Sequence, residues 1–83
     1  MFTILMKDVD GRKSYRYFEK WTNAERELTR DVAAVKNLVK IVLQESVSKM
    51  NHEKGFYERE ETLVTDDGLK FHYALLNGYF EDQ

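Results

Sequence analysis

The sequence predicts an α+β domain of ββαββ order, a four-stranded, mainly antiparallel sheet with one long helix packed on one face. Three observations carry this expectation. Asp10-Gly11 and Asp67-Gly68 each lie between segments rich in β-branched and aromatic residues. Thr22-Asn23-Ala24-Glu25 has the form of a capping box. Apolar residues then recur at intervals of three and four, the spacing of one helical face. At 83 residues the chain reads as a single domain, 1–83.

The first hairpin is expected to pair Phe2–Lys7 with Lys13–Phe18. Two-residue turns between right-twisted strands need positive φ, which Gly11 adopts without a Cβ clash and Asp10 tolerates. The second hairpin obeys the same logic around Asp67-Gly68, pairing 56–64 with Leu69–Tyr73 or beyond. Between them the Thr22 hydroxyl is placed to accept from the Glu25 amide while the Glu25 carboxylate returns to the Thr22 amide. Ala24, Leu28, Val32, Val35, Val39, Val42 and Met50 continue the apolar stripe, and the absence of proline lets the helix run to about Met50. Gly55 suits a left-handed exit. Such a helix is about 40 Å long, more than a short hairpin covers.

Composition narrows the function. The chain has no cysteine, hence no disulfide and no thiolate metal site, and it is short for an enzyme. The 42% hydrophobic and 34% charged content is that of a folding chain. Met1–Met6 is apolar but is succeeded at once by Lys7-Asp8, so it reads as neither signal peptide nor membrane span, and the cytoplasm is the expected location. The net charge of −2 hides an asymmetry, with residues 1–50 basic and 51–83 acidic, a pattern suited to a charged partner or to self-association.

No constellation points to catalysis, a cofactor or a metal. The histidines His52 and His72 are far apart in sequence, and no serine lies in a glycine-flanked elbow. Asp8-Val9-Asp10-Gly11 starts like a calcium loop, but Gly11 comes too early and Tyr17 stands where the closing glutamate belongs. Glu58, Glu60, Glu61, Asp66 and Asp67 are abundant carboxylates, but paired-acid chemistry needs two that converge across a cleft, which spacing along a strand does not show. Glu58 and Glu60 share a strand face and read as a solvated face or a guarded edge. The four glycines are isolated, so no phosphate-cradling loop is present.

Two surfaces remain as candidates. On a helical wheel Leu38 and Ile41 fall to one side of the stripe that one sheet covers and Leu43 to the other, widening the apolar arc to about 200°. Something must cover that flank, either the segment Ala74–Phe80 or another chain, whether a second copy of this one or a different protein. The expected function is accordingly a small, non-enzymatic interaction or regulatory module that binds protein and forms a homodimer through Leu38 and Ile41. The alternative is a nucleic-acid binder, in which Arg12, Lys13, Arg16 and Lys20 meet phosphates while Tyr15, Tyr17 or Phe18 stacks on bases.

Overall fold

The computed structural model describes residues 1–51 and 56–82. It has one helix and a five-stranded antiparallel sheet in the order ββαβββ: β1 (Phe2–Lys7), β2 (Lys13–Phe18), α1 (Trp21–Leu38), β3 (Ile41–Asn51), β4 (Phe56–Thr65) and β5 (Lys70–Asn77). The spatial order is β2-β1-β5-β4-β3. The hairpin β1–β2 and the meander β3–β4–β5 are thus joined edge to edge through β1 and β5. The α+β class and the first hairpin hold as expected, with Phe2 opposite Phe18 and Lys7 opposite Lys13.

The main correction concerns residues 39–51. The helix stops at Leu38, where the Val39 amide makes a last bond to the Val35 carbonyl at 2.9 Å. A fifth strand then replaces the second half of the expected long helix. The spacing Val35–Val39–Val42 satisfies a helical period, but 38–43 is also a nearly continuous apolar run, which periodicity alone cannot assign. Val39, Ile41, Val42 and Val47 are β-branched, and Ser46 and Ser48 are weak helix formers. A strand also gives β4 a pairing partner along its whole length, from Ile41 opposite Thr65 to Asn51 opposite Phe56. Gly55 and His52 lie outside the described residues.

The start of the helix also differs. Trp21 is its first residue and Lys20 is the N-cap, with extended backbone and no side-chain capping bond. Thr22 is already helical, so its expected capping box with Glu25 does not form.

Both Asp-Gly turns are hairpin turns, but longer than two residues. The Gly11 amide donates to the Asp8 carbonyl and the Gly68 amide to that of Thr65. Only the glycines take positive φ, 82° and 85°, so each connection is a turn that ends in a left-handed glycine. The first turn residue secures each loop. Asp8 Oδ1 accepts from the Arg12 amide at 3.0 Å, and Thr65 Oγ1 accepts from the Leu69 amide at 3.0 Å.

The core lies between α1 and the sheet. Ile4, Leu28, Leu63 and Leu75 are fully buried there with Phe2, Ala24, Val32 and Tyr73, and Phe18, Trp21, Val35, Ile41 and Phe71 pack around them. Burial of each large aliphatic contributes roughly 1.5–3 kcal/mol. Ala24, Leu28 and Val32 thus face inward as expected, whereas Val39 and Val42 are exposed. Arg16 on β2 fastens the helix by an ion pair with Asp31 and a longer one to Glu27, 3.8 Å away.

Candidate functional site

α1 packs on β1, β2 and β5 and leaves the opposite face of the sheet without a helix. Strand alternation and register fix what that open face presents. One row across the sheet is Lys13, Lys7, His72, Thr62 and Glu45; the next is Tyr15, Leu5, Ala74, Glu60 and Val47.

At the β1–β2 end, the open face is covered by the segment after β5. Gly78, with φ 125°, turns the chain over Thr3, and the Gly78 amide donates to the Met1 carbonyl. Thr3 Oγ1 donates to the Gly78 carbonyl at 2.7 Å and accepts from the Phe80 amide at 3.3 Å. Tyr79 stacks on Tyr17 with ring centroids 4.8 Å apart, while the Tyr17 hydroxyl donates to the Phe80 carbonyl. The Tyr15 hydroxyl donates to Asp82, and that bond is the main cause holding its pKa above the ordinary tyrosine value. Residues 78–82 thus cover the open face over β1 and β2, and Ala74–Asn77 belong to β5. Neither part covers the flank of a long helix.

At the other end lies β3, an edge strand of 11 residues. The β3–β4 ladder continues for three residue pairs past Arg59, where β4 leaves β5. Of the ten large apolar side chains exposed among the described residues, five fall within positions 38–47: Leu38, Val39, Val42, Leu43 and Val47. Leu38 is 85% exposed at the helix end. Ile41 is half-buried and packs against the core, so it and Leu38 do not share one helical flank.

The structure separates the four basic candidates. Arg12 lies in the first turn, Lys13 on the open face, and Lys20 at the helix N-cap. Arg16 points to the opposite face, where Asp31 and Glu27 neutralise it. They form no common phosphate-tracking surface, and Tyr17 is already stacked on Tyr79.

Glu61, one of the acids between which sequence spacing shows no convergence, is only 2% exposed. Burial alone would push its carboxyl up. Hydrogen bonds from Ser46, Arg59 and Gln44 and the Arg59 charge outweigh burial and hold it below the usual glutamate value. Arg59 Nε lies 2.9 Å from Glu61 Oε1, and its Nη1 donates to Thr29 Oγ1 on α1 at 2.9 Å. The Arg59-x-Glu61 spacing, which sets both on one strand face, is the sequence signal for this pair.

Among the described residues no group of three or more His, Asp or Glu is placed to hold a metal ion, and no helix is long and apolar enough to cross a membrane. Compared with known proteins, the chain matches no family model, no curated protein and no solved structure at a significant level.

Proposed function

We propose that this chain is a small, non-enzymatic interaction module of the cytoplasm, with a regulatory role, that binds protein and self-associates through β3. One observation carries the proposal: the long open edge strand, with five exposed aliphatics gathered on it and on the adjoining helix end. An edge strand offers a row of backbone donors and acceptors to another strand, and proteins ordinarily blunt it with brevity or charge. β2 at the opposite edge is six residues long and carries Lys13 and Arg16. β3 is nearly twice that length, and Glu45 is its one charge among positions 41–48.

A second copy suits this edge because antiparallel pairing of a strand with itself creates a two-fold axis and satisfies both edges at once. Pairing about Val47 sets Val47 opposite its own copy, Ser46 opposite Ser48, and keeps Glu45 off Glu45. The Ser46 hydroxyl already donates to Glu61 and keeps a lone pair with which to accept from the Ser48 hydroxyl of the second copy. Leu38, expected from sequence in the dimer interface, is exposed at the helix end three residues before β3, whereas Ile41 packs against the core.

Light scattering across a dilution series tests this. The wild type should show twice the chain mass at high concentration, and Val47→Lys and Leu38→Glu should each return it to one chain with Tm changed little. A wild-type chain that stays monomeric at the highest concentration overturns the proposal.

A further inference from the structure

We propose that the turn end of the open face is a binding site for a phosphate ester, independently of how β3 is used. A groove of about 520 Å³ runs between the two Asp-Gly turns, and its lining includes Lys7, Lys70, His72 and Thr62, with Val9 and Leu69 as apolar walls. That volume lies within the range of small-molecule sites.

The charges in it are arranged against stability. Lys7 stands directly opposite Lys13, and like charges directly across a sheet destabilise it; His72 lies opposite Lys7 on the other side. Among the described residues neither Lys7, Lys13 nor Lys70 has an ion-pair partner, whereas His72 Nε2 has Glu60 at 3.8 Å. Asp8 also lines the groove, but its Oδ1 is held by the Asp10 and Arg12 amides inside the turn. Cations therefore outnumber acids, and the Thr62 hydroxyl stands beside them as donor or acceptor.

A phosphate ester answers each feature. Its two negative charges match the two groove lysines, its several oxygens suit donors converging from β1, β4 and β5, and an apolar body on the ester fills the space between Val9 and Leu69. A carboxylate carries one charge and two oxygens, and so leaves part of the cluster unmatched.

The test is titration of the full chain with phenyl phosphate, monitored by amide chemical shifts, with benzoate as the carboxylate of similar body. Saturable shifts centred on Lys7, Thr62, Lys70 and His72 are expected, with benzoate at least about tenfold weaker. Lys7→Gln/Lys70→Gln should weaken phenyl phosphate at least about tenfold while Tm without ligand is unchanged or raised, because a repulsive pair has been relieved. No saturation by about 10 mM, equal binding of benzoate, or unchanged affinity in the double variant overturns the proposal. So does a single-stranded oligonucleotide that binds more tightly than phenyl phosphate with its footprint on Tyr15 and Lys13.

Discussion

Glu61 is the residue whose sequence context says least about its role. It stands in a run of acids, Glu58, Glu60 and Glu61, and alternation turns it alone of the last two toward the helix side. There Ser46, Gln44 and Arg59 all donate to it. Its depressed pKa means that the folded state holds the charged form. The contribution to stability is then fully present above the ordinary glutamate value of 4.5 and is lost as pH falls through the lower folded value. Glu61→Gln removes the charge but keeps the shape, leaving Arg59 without its carboxylate. A loss of about 1.5–3 kcal/mol at neutral pH is expected, the range for hydrogen bonds to charged groups. Urea unfolding at several pH values checks it: the variant should show a flatter acid limb than the wild type, and parallel limbs would mean that Glu61 is not the titrating group.

At the scale of elements, strands whose turns carry local chemistry were legible. Gly11 and Gly68 fix the ends of two hairpins, and the alternation of Phe2–Lys7 against Lys13–Phe18 fixes their register. The stripe Ala24, Leu28, Val32 was legible as a buried helix face for the same local reason. β3 was not, because the feature that makes 41–51 a strand is its ladder with β4, a contact between segments that no local period records. The candidate interface shared that fate: Leu38 and Ile41 were joined by a helical wheel that ends at Leu38. The helix start gives a direct measurement. Lys20 occupies the N-cap with no capping bond, and the first turn contains no acid. Lys20→Asp should therefore stabilise the chain by about 0.5–2 kcal/mol, through a new capping acceptor and a better match to the helix dipole. Thr22→Ala should stay within about 0.5 kcal/mol. Thermal unfolding of the two variants separates the alternatives, since the reverse order would put the cap at Thr22.

For the molecule as a whole, the segment from Gly78 to Asp82 closes the fold by returning from central β5 across β1 to β2. It ties the Met1 carbonyl, Thr3, Tyr15 and Tyr17 to one short stretch of chain, and so couples the two halves of the sheet on the face opposite the helix. The same segment carries Glu81 and Asp82, acids from the negative half of the sequence, over the basic half. Tyr79 is the reporter of this closure. Its hydrogen bond to Glu81, with a further one involving Tyr17, pushes its pKa up to about 12. A raised phenol pKa means that the folded state holds the neutral form, so its contribution is present below the ordinary value of 10 and is lost as pH rises toward about 12. Tyr79→Phe keeps the ring that stacks on Tyr17 but cannot ionise there. Its Tm should track the wild type near neutrality, apart from the lost hydroxyl bond, and fall less steeply in the alkaline range. Tyr79→Ala removes the stack as well and should lower Tm by about 2–8 °C at neutral pH. If closure is cooperative, Tyr17→Ala and Tyr79→Ala together should cost clearly less than the two single losses added, because each already breaks the same contact. Additive losses would mean that the two rings act separately and that the segment lies on the sheet without bracing it.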